Sequence, residues 1–214
     1  LPVRRIPKNY RHVTGMLGSS RSERKPFYES PLERDFFILL DFDPRVASFE
    51  EQPVAVHYQD DMGTWRRYTP DVLVLYKEEA HKRPLLFEIK PREVLRSEWK
   101  SLERRFRAAY QVAKARGWGF RTVTDREIRT PRLENIKFLR GYRDTPADEE
   151  ACELMVQTVT SKQAITVQGL LDTLATDRWE QARLIPSVWH LTATGRLQVD
   201  MDIPLTMVST LTSP

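Results

Sequence analysis

Two short stretches, Thr69-Pro70-Asp71 and Leu85-Leu86-Phe87-Glu88-Ile89-Lys90, constrain this chain more than any other feature. The first sets an acid at the start of the apolar run Val72 to Tyr76, and the second sets a carboxylate and a lysine two residues apart within another. Side chains alternate along a β-strand, so Glu88 and Lys90 share one face while Phe87 and Ile89 point to the other. Runs this continuously apolar suit strands covered on both faces, where an unpaired charge is costly. Asp71, Glu88 and Lys90 are therefore expected at the strands' end, as a site. Neighbouring carboxylates repel unless a divalent cation lies between them, and a lysine beside them can hydrogen-bond the water or phosphate that such a cation holds. Phosphodiester hydrolysis needs this set, and solvated residues on an edge strand are the plainer alternative.

With 214 residues, 40% of them hydrophobic, the chain has core for one large domain or for a medium and a small one. The single cysteine, Cys152, excludes an intrachain disulfide, and zinc-ligand spacings are absent among four histidines. A soluble protein of the reducing cytoplasm is expected. No apolar run approaches membrane-spanning length, and none follows the basic start as a signal peptide requires.

Charge is unevenly spread. The chain carries 34 basic and 30 acidic residues, +4 in all, but from Ala147 onward four basic residues face nine acidic ones, giving −5 and leaving +9 for residues 1 to 146. A polyanion is the expected partner of the first part and a protein that of the second. The boundary is placed at residues 145/146, with a new helix capped by Thr145 and Pro146 at its first position. Before residue 30 an arm holds Arg4, Arg5, Lys8, Arg11, Arg21, Arg24 and Lys25, with Tyr10, Phe27 and Tyr28 interleaved. It reads as a segment contacting DNA phosphates, with a solvated tail as the alternative.

Ser30-Pro31-Leu32-Glu33 has the form of a helix start, with Ser at the cap, Pro at N1 and Glu at N3. Capping alone accounts for Glu33, so a second duty needs other support. Gln52, in a Glu-Glu-Gln-Pro turn, either approaches the site or only shapes its loop. After Lys90 one helix is expected from Pro91 to Arg116, with Leu95, Trp99, Leu102, Phe106, Ala109 and Ala113 at helical spacing and Gly117 as the stop. Its basic residues Arg96, Lys100, Arg104, Arg105 and Arg107 read as a solvated face, with phosphate contact as the alternative. A strand at Phe120 to Thr124 and a helix at Arg132 to Arg140 follow. The last third reads as three helices, with Trp179, Leu184 and Trp189 in the core, then a strand pair or wing over Gly195 to Ile203.

The paired motifs resemble the signature of restriction-endonuclease-like nucleases, PD followed by (D/E)xK. Together with the helix glutamate in Ser30-Pro31-Leu32-Glu33 and their order along the chain, they resemble the TnsA family, endonuclease subunits of heteromeric bacterial transposases. The resemblance implies a restriction-endonuclease-like mixed α/β sheet flanked by helices over residues 30 to 145, then a small winged-helix-like domain over 146 to 214. It implies active-site positions at Glu33, Asp71, Glu88 and Lys90. Mg²⁺, with Mn²⁺ able to substitute, would lie on Glu33, Asp71, Glu88 and the carbonyl of Ile89. Implied partners are double-stranded DNA at transposon ends, an integrase-type transposase subunit and, through the last domain, an AAA+ ATPase regulator. Glutamine stands in some members where this chain has Glu88. A stand-alone repair or junction-resolving nuclease and a non-catalytic DNA-binding adaptor remain the alternatives.

Overall fold

The computed structural model describes residues 15–18, 21 and 26–214. In chain order its elements begin with β1 (Gly15–Met16), β2 (Phe27–Tyr28), α1 (Pro31–Phe42), β3 (Val46–Glu51), β4 (Val56–Gln59), β5 (Trp65–Tyr68) and β6 (Val72–Tyr76). A single 3-10 turn (Glu78–Ala80) leads to β7 (Leu85–Ile89), α2 (Arg92–Ser97), α3 (Trp99–Ala115), β8 (Gly119–Val123) and α4 (Asp125–Ile128). The rest comprises α5 (Pro131–Arg143), α6 (Glu149–Lys162), β9 (Ala164–Thr166), α7 (Val167–Leu174), α8 (Arg178–Thr194), β10 (Gln198–Val199) and β11 (Thr210–Thr212). Contacts divide the chain between Arg129 and Thr130. That is one helix earlier than charge and turn signals placed the boundary, because α5 packs chiefly on α8.

The first unit is built on a mixed sheet in the order β3-β6-β7-β8, antiparallel except for the parallel β7/β8 pair. The two apolar runs thus form the inner strands, as their composition requires. Alternation then assigns the faces. Phe87 meets Phe36 of α1 at 5.2 Å, whereas Leu73 and Leu86 join Leu102, Phe106, Ala109 and Ala113 of α3. Glu88 and Lys90 have the parity of Leu86, so they continue the face that α3 covers. The hairpin β4/β5 pairs Val56 with Tyr68 and brings both into the same cluster.

Helix α1 starts as expected, with Ser30 as its cap. The helix after Lys90, however, is broken at Glu98 (φ −108°, ψ 10°). The Ser97 hydroxyl donates to the Glu93 carbonyl at 3.0 Å, and this local bond competes with helix continuation. Gly117 at φ +73° ends α3 in the left-handed conformation that glycine adopts without strain.

In the second unit the order α6-β9-α7-α8-β10-β11, with a three-stranded sheet β10-β11-β9, has the winged-helix layout. Met155, Leu170, Leu171, Leu191 and Leu211 are fully buried at its centre. The wing differs from expectation: β10 pairs with β11, so the return strand lies beyond Ile203. Asn135 of α5 clamps the intervening loop, donating to the carbonyls of Met201 (2.9 Å) and Ile203 (2.7 Å) and accepting from Leu205 N–H (3.0 Å). Helix α6 is capped by Asp148, since the Thr145 hydroxyl donates instead to the Gly141 carbonyl of α5. Trp189 is buried and Leu184 half-buried, but Trp179 is 80% exposed, a correction to its expected place in the core. It sits in the first turn of α8, its N–H held by the Asp177 cap.

Candidate active site

The register of β6 against β7 pairs Val72 with Phe87, and the Asp71 N–H donates to the Phe87 carbonyl at 3.1 Å. One step further along that register, Asp71 and Glu88 lie opposite each other. Asp71 Oδ2 accepts the Ile89 N–H at 2.5 Å, which fixes the carboxylate across the strand end. Glu88 is 1% exposed. Lys90 Nζ lies 3.0 Å from Glu88 Oε1, and the Tyr68 hydroxyl donates to Glu88 Oε2. The Lys90 backbone is pinned in turn, its N–H donating to the Val123 carbonyl at 3.1 Å.

Glu33 stands in the first turn of α1, with both oxygens used. Oε1 accepts from the Ser30 hydroxyl and Oε2 from Glu29 N–H, each at 2.8 Å, while Ser30 Oγ accepts Glu33 N–H at 3.2 Å. The capping role is thus realised. Glu33 also interacts electrostatically with Lys90 and Asp71. Gln52 shapes its loop, at φ +46°, a conformation rare for residues other than glycine. It also reaches the site's rim. Its N–H donates to the Asp71 carbonyl at 2.8 Å and its Nε2 to Glu29 Oε1 at 3.2 Å, while its buried Oε1 has no hydrogen-bond partner among the described residues.

Burial, then the charges of Glu88 and Glu33, hold the Asp71 carboxyl well above the usual range, with Lys90 opposing. Burial likewise raises Glu33. Burial pushes Lys90 down, but Asp71 and Glu88 outweigh it, so its ammonium stays above the ordinary lysine value. The Tyr68 hydroxyl is raised by burial and by Glu88, so it remains a donor. Asp71 and Glu88 thus share one lysine, with Glu33 acting on Asp71 and Lys90 electrostatically, and acid outnumbers base in the set. Hard oxygen donors with that deficit fit a divalent cation such as Mg²⁺. Among the described residues no three acidic, histidine or cysteine groups are placed to hold an ion as they stand, and protein donors occupy the oxygens of Glu33 and Glu88.

The sequence pattern did not reveal Tyr68. It stands at the end of β5, three residues before Asp71, and no spacing in the sequence marks it. Of the arm, Arg4, Arg5, Lys8, Arg11, Arg24 and Lys25 lie outside the described residues. Arg21 is described, and its guanidinium donates to the carbonyls of Asp43 and Val46, so it ties the arm to the start of β3 instead of standing open to phosphate.

A family model described as TnsA-like endonuclease N terminal matches residues 43–125, and one described as TnsA endonuclease C terminal matches residues 127–201. The chain belongs to the TnsA-like endonucleases. No curated protein matches it. The first TnsA-like match takes in Asp71, Glu88 and Lys90 and begins beyond Glu33. The second begins close to the contact boundary and so includes α5 with the TnsA C-terminal part. Among the described residues, no helix is long and apolar enough to cross a membrane.

Proposed function

We propose that this chain is the metal-dependent DNA endonuclease subunit of a transposase, cutting the non-transferred strand at transposon ends and leaving a 5′-phosphate and a 3′-hydroxyl. The observation that supports this most is the meeting of Asp71, Glu88 and Lys90 at one end of the two inner strands. Asp71 and Glu88, with the Ile89 carbonyl, would hold Mg²⁺ or Mn²⁺, and Glu33 would complete the shell or hold a second ion through water. The cation, when bound, supplies Lewis-acid polarisation of a phosphate oxygen and a more acidic water. Lys90 would orient the attacking water and offset charge on the phosphorane-like transition state. Tyr68 keeps Glu88 turned toward the site. Cleavage of end-labelled transposon-end DNA, with ligation of the products, tests this. Ligatable ends on the non-transferred strand, lost in EDTA, are expected, and 3′-phosphate ends would refute it.

Charge divides between the two units the partners that the resemblance implies. Divided at Arg129/Thr130, the second unit has eight basic and eleven acidic residues, −3, and the remainder +7. We assign DNA at transposon ends to the basic part, including the arm before residue 30, and an integrase-type transposase as co-subunit. We assign an AAA+ ATPase regulator to the acidic part, since a negative surface repels a duplex. Fragments 1–129 and 130–214, a cut that keeps α5 with α8, should divide DNA binding and regulator capture between them. Micromolar DNA binding by 130–214 alone would reassign its α8 as a DNA reader.

A further inference from the structure

Among the arginines of α3, one is turned inward. Arg105 follows Leu102 by three positions and precedes Ala109 by four, and both of those are buried, which places it on the covered side of the helix. Its guanidinium lies 5.4 Å from the Tyr68 ring centroid and 5.6 Å from that of Phe106. Its helix neighbours are neutralised: Arg104 pairs with Asp61, and Arg107 with Glu103 at 2.7 Å. Arg105 has no ion pair among the described residues, and its buried Nε has no hydrogen-bond partner. The same tyrosine that carries the guanidinium donates its hydroxyl to Glu88, so one aromatic side chain links Arg105 to the acidic cluster. Its charge is felt at both Tyr68 and Lys90.

A guanidinium held by stacking against rings loses little freedom on binding, and its planar fork matches two oxygens of a phosphate. A cation with no ion pair, set over the tyrosine that holds Glu88 and felt at Lys90, offers a phosphodiester positive charge next to a negatively charged site. We propose that Arg105 is a further catalytic residue, gripping the non-bridging oxygens of the DNA phosphate that is cut. This rests on the endonuclease reading above and adds the group that receives its substrate.

The test uses the full chain with Arg105→Ala and Arg105→Lys, each checked for an unchanged melting temperature. Duplex binding is measured in EDTA over a series of salt concentrations, and cleavage separately in Mg²⁺. Losing one phosphate contact should lower the slope of log affinity against log salt by about one in Arg105→Ala. Cleavage should fall about 100-fold. Arg105→Lys should keep the slope yet cut poorly, since lysine keeps the charge and lacks the fork. An unchanged slope in Arg105→Ala overturns the proposal. So does wild-type cleavage with a lowered slope, which would put the contact at a phosphate other than the one cut. Should Arg105→Ala not fold, wild-type cutting by Arg105→Lys refutes the fork. If the unmodified chain cuts no DNA even with the partner subunits present, the endonuclease reading fails, while the salt slope still decides the phosphate contact.

Discussion

Replacing Tyr68 by Phe isolates the contact on which the position of Glu88 depends. The ring stays, and with it the 6.2 Å contact to Phe106 and the 5.4 Å stacking of Arg105. Only the hydroxyl that donates to Glu88 Oε2 is removed. Glu88 is 1% exposed, so water does not replace that donor, and the carboxylate is left with Lys90 on its other oxygen. Hydrogen bonds to charged groups contribute about 1.5–3 kcal/mol, so a loss of about 2 kcal/mol is expected. For a chain of this size that corresponds to a fall of about 4–8 °C in melting temperature. Loss of a hydrogen bond that orients a metal-holding carboxylate weakens metal affinity about 10–100-fold. Thermal melts, with the Mg²⁺ concentration for half-maximal cleavage, measure both effects. Tyr68→Phe with an unchanged melting temperature and an unchanged Mg²⁺ requirement would refute the reasoning.

The cap and the site compete for Glu33, and Glu33→Gln separates them: glutamine still serves a capping box, so melting should barely change while cleavage falls at least tenfold if the charge is needed, by about one order or more in rate. Full activity in that variant would return the residue to its cap. In the second unit, Asn135→Ala removes three hydrogen bonds from a 5% exposed side chain and should cost about 2–4 kcal/mol, read as an earlier unfolding transition of residues 130–214 in denaturant.

The motif strands were legible because period-2 alternation and continuous apolar runs carry register and face with little help from the rest of the chain. Asp71, Glu88 and Lys90 are therefore brought together by the sequence pattern itself. The Glu33 cap was legible too, since Ser30-Pro31-Leu32-Glu33 is a local pattern. Tyr68 and Arg105 were not, because both reach the site through packing between the β4/β5 hairpin and α3, which no spacing encodes. Arg105 did leave a trace, three residues after Leu102 on the buried stripe, obscured by the other arginines around it. The break at Glu98 has no periodic signature. Trp179 was misplaced because large apolar residues are assigned to cores by default, whereas its position in the first turn of α8 sets it beyond the helix's packed face. The boundary moved because charge marks the surface of a unit, and the packing of α5 on α8 sets its extent.

The most direct test of the central claim is cleavage of transposon-end DNA in Mg²⁺ by the unmodified chain, by Asp71→Ala and by Lys90→Ala, in the presence of the partner subunits, with DNA binding measured alongside. The account predicts cutting by the unmodified chain and none by either variant, with binding largely intact, because these residues act on charge that develops in the transition state and contribute little to ground-state affinity. Retained cutting by either variant would contradict it.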